Sequence, residues 1–381
     1  MSPSVRLAAF LAPIFVAGGV NTAFLPLFLS DRGLSAAEIG EVLGLATLCR
    51  LAAVPGWGWI ADRAGRHATV LFWSAALAAI ACASYLPAHG IVVLLLVSAA
   101  QAVTASALTP LSDTLALALA GEGRLDYGRV RASGSAAFMA ATAAAGPIVA
   151  AFGARVVPVL LAGSYAVAAA LAALLPQAAA PPHGPRGAMR GVRLLTYRPF
   201  LLTLGASALI QGAHGAYYGL ATVHWRAHGI SDTAIGLLWS EGVVAEILLF
   251  VFGRRVAARL GPAGLTAVAA AASLLRWSLT ALTTDLASLA AIQFLHGATY
   301  GMQHLSAMLM LSRTIPPERA AGAQTLHASL GTAVPTGLMM WAAGAAYDGS
   351  GQVFLLMAGL GGLGLLLAPG LATAARRQAR S

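Results

Sequence analysis

Five ionisable residues interrupt long apolar runs of the chain, and their chemistry makes them the first candidates for function. They are Arg50, Asp113, Glu241, Glu246 and Arg276. A charge at the centre of a bilayer costs about 2.5–3.5 kcal/mol on insertion scales, so a residue that carries one is a functional candidate. A carboxyl group there can bind and release a proton, and a guanidinium can hold a carboxylate bidentately. Asp113 has two interpretations: it caps a broken helix, or it pairs with an arginine.

Two of the apolar runs also carry polar stripes. At 100° per residue, each stripe covers an arc of about 100° or less of a helix surface. The stripes are Gln211, His214, Tyr218, Thr222 and Trp225, and Gln293, His296, Tyr300, Gln303 and His304. We predict that they form walls of one substrate cavity, in which Tyr217 and Tyr218 stack on a ring and Arg276 or Arg50 holds a carboxylate. The alternative is hydrogen bonding between helices, at about 0.6 kcal/mol per bond.

The composition indicates a polytopic membrane protein. Charged residues are 9% of the 381 and hydrophobic residues 59%, with a mean hydropathy of +0.78, whereas soluble domains have roughly 25% charged residues. The net charge of +10 comes from arginines, mostly in short loops, and this pattern argues against nucleic-acid binding. Cys49 and Cys82 lie in apolar segments, so we expect neither disulfides nor a metal site.

Apolar runs of about 20 residues, the length that crosses a bilayer, occur twelve times. The predicted spans are 5–29, 38–60, 68–88, 91–119, 129–152, 156–175, 199–225, 233–252, 263–284, 287–312, 321–346 and 352–373. The first is too long for a signal-peptide core. We therefore predict an all-α membrane protein of twelve transmembrane helices in two six-helix bundles, residues 1–176 and 199–381, joined by a cytoplasmic linker, residues 177–198.

The arginines predict the orientation, because loops rich in Arg stay in the cytoplasm. The loops on one side carry most of them, and those on the other side carry only Arg32, Arg155 and Arg226. We expect both termini in the cytoplasm and the chain in the inner membrane of a bacterium.

The two halves are related by an internal duplication. Gly33–Gly40 aligns with Gly229–Gly236 at an offset of 229 − 33 = 196 residues, and the same offset pairs Arg50 with Glu246. Two repeats of six helices have the same orientation in the membrane. This arrangement resembles that of the major facilitator superfamily.

The loop after the second predicted helix resembles the signature loop of that superfamily. Its residues are Gly58, Asp62, Arg63, Gly65 and Arg66. We predict that Gly58 lets a neighbouring helix approach, that Asp62 pairs with an arginine or a helix N-terminus and that Gly65 makes a tight turn, so that the loop latches one conformation. The alternative is a turn with inside-positive charge. Ala258 replaces Asp62 in the second copy, so we expect an asymmetric latch.

Longer stretches, over nearly the whole chain, resemble the phenylpropionate permease family of the same superfamily. They are Leu125–Arg131 with Gly134 and Ser135, Gln211–His214, Ala216–Gly219, Trp239 with Ser240, Gly242–Glu246, Arg276 with Trp277, and the His296/His304 pair. The resemblance implies proton-coupled uptake of a small aromatic carboxylate by a monomer, without a cofactor other than the proton gradient.

Other functions remain open. The family is similar to oligosaccharide and nucleoside proton symporters, so a sugar or nucleoside is an alternative substrate, and export of hydrophobic compounds is an alternative activity. A membrane enzyme or sensor would need a nucleophile with its base, metal ligands or a soluble domain. The sequence offers none of these, and we expect no enzymatic activity.

The acidic residue that follows the helix-10 histidine in the lactose permeases has no counterpart in this sequence. In those proteins a histidine of helix 10 is followed three residues later by Glu, whereas His296 is followed by Thr299. Burial raises the pKa of a carboxyl and a nearby arginine lowers it, so an acid whose distance from an arginine changes would bind and release a proton. We predict that Glu246 is this acid and Arg50 this arginine; a permanent ion pair is the alternative.

Overall fold

A computed structural model describes residues 2–175 and 193–378, and these residues form helices joined by turns, without a β-strand. The first seven helices are α1 (Pro3–Asp31), α2 (Ala36–Ala64), α3 (His67–Ala83), α4 (Ile91–Ala105), α5 (Leu108–Gly121), α6 (Tyr127–Phe152) and α7 (Val156–Ala172). The others are α8 (Arg198–Ile210), α9 (Gly215–Ala227), α10 (Asp232–Leu282, kinked at Gly261), α11 (Leu286–Gln293), α12 (Gln303–Thr314), α13 (Pro317–Leu326), α14 (Val334–Ala346), α15 (Val353–Leu363) and α16 (Ala368–Gln378).

Short 3-10 and π-helical segments connect several of these helices. The 3-10 segments are Arg193–Thr196, Gly212–His214 and Gly364–Leu367, and the π-helical segments are Gly297–Met302 and His327–Ala333. Most of the predicted linker 177–198 lies outside the described residues.

The helices confirm an all-α fold with membrane-spanning segments. Among the described residues, five helical stretches are long and apolar enough to cross a membrane: Pro3–Asp31, Ile91–Gly121, Tyr127–Phe152, Asp232–Leu282 and Val353–Arg376. Other predicted spans fall on α2, whose ends are charged, or on shorter helical pieces. The number twelve therefore stays a prediction.

The predicted span 91–119 falls on the stretch Ile91–Gly121, within which the helix breaks at Ser106 and Ala107. Pro110 has no N–H to donate, and its ring excludes the carbonyl of Ser106 four residues earlier. The Ser106 hydroxyl instead donates to the carbonyl of Val103 (2.7 Å). The break separates α4 from α5.

The internal duplication is visible in the backbone. Three pairs of glycines at the 196-residue offset have positive φ, a conformation that glycine adopts without steric cost. They are Gly33 and Gly229 (87° and 84°), Gly65 and Gly261 (60° and 61°), and Gly153 and Gly349 (74° and 92°). The two halves thus reverse the chain at equivalent positions.

The helices form two compact units. These are residues 1–183 with 229–240, and residues 184–228 with 241–381. Residues 229–240 pack in the first unit, where Gly146 of α6 and Gly236 of α10 allow a close crossing. A side-chain carbon added at Gly236 would lie 2.5 Å from the carbonyl oxygen of Thr142.

Helix α2 begins with a capping box. The hydroxyl of Ser35 accepts from the backbone N–H of Glu38 (3.3 Å), and the Glu38 carboxylate accepts from the N–H and the hydroxyl of Ser35, both at 2.8 Å. These last two hydrogen bonds hold the pKa of Glu38 below its usual value. At the equivalent position of the second repeat, Ser231 accepts from the N–H of Ala234 (3.3 Å), and no carboxylate completes the box.

We expect Ser35→Ala to destabilise the protein by about 1 kcal/mol at neutral pH, since an N-cap hydroxyl is lost. A carboxyl with a lowered pKa stabilises fully above its unfolded pKa, and this contribution disappears as the pH falls through the folded pKa. The effect of Ser35→Ala should therefore shrink below about pH 4. Thermal unfolding of the purified protein across pH measures it, with Ser231→Ala as the control. Equal pH dependence in both variants would contradict the role of Glu38.

Candidate functional site

A buried group of polar side chains in the second unit is the best candidate for a functional site. We call it the Arg276 cluster: His214, Tyr217, Arg276, Gln293, His296 and Thr299. Arg276 lies on α10 beyond the kink and is fully buried. Its guanidinium lies over the rings of Tyr217 and Trp277, with 5.0 and 4.1 Å to their centroids. Both rings contribute cation–π attraction to a charge that has left water.

The guanidinium is bonded within the cluster. Nη2 donates to Oε1 of Gln293 (2.5 Å), and Nη1 lies 3.0 Å from both Nδ1 of His296 and Oγ1 of Thr299. Gln293 in turn donates from Nε2 to the hydroxyl of Tyr217 (2.9 Å). Both terminal nitrogens of Arg276 thus donate within the cluster, whereas its buried Nε has no hydrogen-bond partner among the described residues.

The hydrogen bonds assign the ring proton of His296. Arginine can only donate, so Nδ1 of His296 accepts and the ring proton is on Nε2. In His214, Nδ1 donates to the carbonyl of Ile210 (3.0 Å), and Nε2 lies 3.2 Å from the hydroxyl of Thr299, which itself donates to the carbonyl of His296 (3.3 Å). The imidazole of His296 is therefore neutral while Arg276 holds its position.

A helix break positions His214. Helix α8 ends at Ile210, and Gly212 and Gly215 then pack directly against α14, with no room for a side chain. The backbone N–H of His214 bonds to Gln211 instead of Ile210. The carbonyl that this releases is the acceptor for the His214 ring.

Glu246 lies at the edge of the Arg276 cluster. Its Oε2 is 3.8 Å from Nε2 of His296, and its side chain is 24% exposed. This distance allows electrostatic attraction and is too long for a hydrogen bond. Because Nε2 of His296 carries the ring proton, its N–H and the Glu246 carboxylate are neighbours of matching polarity. The structure thus gives Glu246 a partner in its own unit.

Gly297 and Gly301, which were not among the predicted site residues, create this neighbourhood. A side-chain carbon added at Gly297 would lie 2.6 Å from the carbonyl oxygen of Ala245 on α10, and Gly301 packs against α10 equally closely. The close approach places His296 beside Glu246. The GxxxG spacing, typical of close packing between membrane helices, was the signal that could have found it.

We expect Gly297→Ala to destabilise the protein by about 1–3 kcal/mol, because the added methyl group overpacks the contact with the α10 backbone. Thermal unfolding of the purified protein tests this effect. Gly359→Ala is the control, because nothing lies within 4 Å of a carbon added there. Equal unfolding temperatures for the two variants would contradict the prediction.

The second predicted stripe divides between two groups of neighbours. Gln293 and His296 belong to the Arg276 cluster, and the ring of Tyr300 stacks on His296 with 5.6 Å between centroids. After the π-helical segment, Gln303 bonds to Thr266 and Ser207, while His304 contacts Phe250 of α10. The expectation of a uniform helix is wrong here, because π-helical hydrogen bonds span five residues and shift the register.

Gln303 belongs to a second buried cluster, with Ser207, Thr266, Ser306 and His327. Its Oε1 accepts from Thr266 (3.0 Å), and its Nε2 donates to Ser207 (3.1 Å), which lies 2.8 Å from Nε2 of His327. His327 is a lone histidine outside both polar stripes, so the sequence pattern did not indicate it. This cluster corresponds to the alternative of hydrogen bonding between helices.

The other predicted substrate residues differ in accessibility. Tyr217 is buried and bonded, and Gln211 is buried with a long 3.5 Å contact to the carbonyl of Tyr300. Tyr218, Tyr300 and His304 are only partly buried. Together with Glu241 and Glu246, these three are the predicted site residues of this unit that are partly exposed.

The charges of the first unit have different surroundings. Asp113 lies 3.8 Å from Nε of Arg131 and well inside α5, so the structure favours ion pairing over helix capping. Arg50, at the middle of α2, is exposed and makes no hydrogen bond or ion pair with any residue that the structure describes. In the second unit, Glu241 is partly buried and likewise lacks such a partner within the described ranges.

The loop after α2 is only partly as predicted. Gly65 ends α2 with φ of 60°, and its N–H donates to the carbonyl of Ala61, as the tight turn requires. At Gly58, however, no atom lies within 4 Å of an added side-chain carbon, so the expected helix approach is absent. Asp62, Arg63 and Arg66 are exposed, and Arg63 lies over the ring of Trp59 at 5.5 Å. The latch stays a prediction.

No group of three or more His, Cys, Asp or Glu in the described ranges is arranged to hold a metal ion. The Arg276 cluster is built from hydrogen bonds and one buried cation, an arrangement suited to recognition of a polar ligand.

The chain is similar to known proteins in sequence and in fold. A model of the MFS_1-like family matches residues 4–358. A probable 3-phenylpropionic acid transporter of Escherichia coli (strain K12) is 33% identical over 305 residues, 77% of this chain and 78% of that protein. A maltose permease of Geobacillus stearothermophilus is 32% identical over 339 residues, 86% and 82% of the two chains. The crystal structure of the nucleoside transporter NupG superposes with a TM-score of 0.84 at 15% identity, over 98% of this chain and 99% of that one.

Proposed function

The chain belongs to the MFS_1-like family and is a membrane transporter, and we propose that it imports a small aromatic carboxylate together with protons. The observation that carries the proposal is the connection from Arg276 through His296 to Glu246. It joins a buried cation, a histidine whose proton position is assigned, and a partly exposed acid.

Glu246 is the proton carrier in this proposal. An ionised Glu246 attracts the Nε2–H of His296, and protonation removes this attraction. Since Nδ1 of His296 accepts from Arg276, the ring cannot take a second proton, and the proton stays on Glu246. Loading and unloading Glu246 thereby changes the interaction between α10 and the segment after His296, which couples proton binding to alternating access. Glu241 is the reserve candidate.

A relative and the accessible side chains both support the proposed substrate class. The E. coli protein is named for 3-phenylpropionic acid, an aromatic ring with a carboxylate. Tyr218 and Tyr300 are partly buried aromatic residues near the Arg276 cluster and would stack on such a ring. We propose that the buried members of the cluster hold these residues in place.

The remaining predictions complete the proposal. The transporter works as a monomer in the inner membrane of a bacterium, with both termini cytoplasmic, and the proton gradient is its only energy source. The loop of Gly58–Arg66 latches one conformation of the cycle.

Uptake into proteoliposomes with an imposed pH gradient tests the proposal. The panel contains 3-phenylpropionate, other phenyl-substituted acids, maltose and uridine. We expect accumulation of the aromatic acids that collapses when a protonophore removes the gradient. Accumulation of uncharged solutes alone would refute the substrate class.

A sugar symporter is the second candidate, because a maltose permease is 32% identical over most of the chain. Gradient-driven accumulation of maltose without the acids would establish it. Loss of preloaded hydrophobic compounds against their gradient, with no uptake of acids or sugars, would establish the exporter instead.

A further inference from the structure

Two arginines lie at membrane depth, and the sequence does not distinguish between them as partners of a carboxylate. We propose that Arg50 is the residue that binds the carboxylate of the transported acid, and that Arg276 is a positioning residue that holds His296. This inference rests on the proposed function, since it concerns the substrate that the function names.

Arg50 lies near the middle of a predicted membrane span, where a charged side chain is energetically costly. It is the central residue of α2 (29 residues, Ala36–Ala64), about 21 Å from either end. The hydrocarbon core of a bilayer is about 30 Å thick, so the side chain cannot reach the polar interface from there. Charged residues at this depth face protein or water rather than lipid.

The exposed residues of α2 indicate whether Arg50 faces protein, water or lipid. Leu45, Ala52 and Trp59 are exposed apolar residues, with 42% and 63% exposure at Leu45 and Trp59. They form one stripe, which fits contact with lipid. At 100° per residue, Arg50 is about 140–180° around the helix from them, whereas Ile60, also exposed (41%), is about 80° from Arg50. Because Arg50 is exposed as well and a charge at this depth faces protein or water rather than lipid, we infer that its side of α2 is open to water.

The side chain is available for a ligand. Among residues 2–175 and 193–378, none forms a hydrogen bond or an ion pair with Arg50. Its five N–H groups form a planar fork that matches a carboxylate bidentately. Arg276, in contrast, is fully buried and already donates to Gln293, His296 and Thr299.

The nearby interior of the first unit is polar but neutral. The buried phenol of Tyr165 lies within electrostatic reach of Arg50. Beside it, Gln101 donates to Asn21 (2.7 Å) and accepts from Tyr85 (2.9 Å). These groups bond to one another and carry no negative charge. The positive charge of Arg50 is therefore left for a mobile anion, and the anion that this transporter moves is the acid itself.

Paired ligands test the inference. Binding of 3-phenylpropionate and of 3-phenylpropionamide, which lacks the charge, is measured by calorimetry on the wild type, Arg50→Gln and Arg50→Lys in lipid nanodiscs. We expect Arg50→Gln to weaken binding of the acid about tenfold to a hundredfold and to leave binding of the amide unchanged. Arg50→Lys keeps the charge without the fork and should lose less. Arg155→Gln, which removes an exposed charge at the start of α7, should change neither.

Three other outcomes would contradict the inference. Unchanged binding of the acid to Arg50→Gln would show that Arg50 does not hold the carboxylate, while the proposed function stands. An equal loss of acid and amide would indicate a general structural effect and would overturn the inference too. A wild-type protein that binds neither ligand would instead refute the proposed substrate, and this inference with it.

Discussion

Replacing Glu246 with glutamine should abolish uphill accumulation of the acid under a pH gradient while leaving exchange of labelled for unlabelled substrate intact. Glutamine keeps the size and polarity of the side chain but cannot ionise, so the carrier would behave as if permanently protonated. Its attraction to the Nε2–H of His296, 3.8 Å away in the wild type, would no longer change during the cycle. Counterflow and gradient-driven uptake in the same proteoliposomes measure the two activities separately.

Glu241→Gln is the matched control for this experiment. Glu241 lies five residues earlier on α10, is partly buried, and has no hydrogen bond or ion pair with a residue that the structure describes. We expect it to retain accumulation. If Glu246→Gln accumulates the acid to the wild-type ratio, Glu246 is not the carrier; if Glu241→Gln loses accumulation instead, the role passes to Glu241.

The second large effect is expected for Arg276→Gln. The substitution leaves Gln293, His296 and Thr299 without their buried donor, and each unsatisfied buried group costs about 1–3 kcal/mol. Removing the buried cation recovers part of this, so we expect a net loss of about 2–4 kcal/mol and an apparent Tm lower by several degrees. Thermal unfolding followed by tryptophan fluorescence measures it.

The same variant should acquire a new pH dependence. Once Nδ1 of His296 no longer accepts from a fixed cation, the ring can be protonated at both nitrogens. Substrate binding by Arg276→Gln should therefore vary with pH in a way that the double variant Arg276→Gln/His296→Gln does not. Arg50→Gln is the control for stability, because Arg50 is exposed and unbonded among the described residues. Wild-type stability of Arg276→Gln, or identical pH profiles of the single and double variants, would contradict the assigned hydrogen bonds.

Much of the fold was predictable because its causes are local in the sequence. Long apolar runs must become helices in a membrane, since each backbone group there has to find a partner within its own segment. The duplication was readable from Gly33 and Gly229, and their φ angles confirm that it is structural. The break before α5 could have been anticipated from Pro110, and the non-helical Gly261 in α10 lies between the predicted spans 233–252 and 263–284.

The sequence predicted which residues form the candidate site better than it predicted how they are arranged. Arg276, Gln293, His296 and His214 were all chosen from their charge or their place in a polar stripe, and they do lie together. Gln303 was predicted to line the same cavity but lies in another cluster. The prediction assumed 100° per residue throughout, whereas Gly297–Met302 is π-helical and shifts the residues that follow it.

The sequence by itself determined the membrane class, the repeat and the short set of polar residues that the apolar runs had to accommodate, because composition and periodicity are properties of single segments. Only the tertiary structure decided that Arg276 is bonded and Arg50 exposed, and that Glu246 lies beside His296. Those differences arise from contacts between segments far apart in the chain: the helix approach at Gly297 and the break at Gly212. Arg50 and Arg276 both interrupt apolar runs of the sequence, yet in the folded protein Arg50 is exposed and Arg276 is buried.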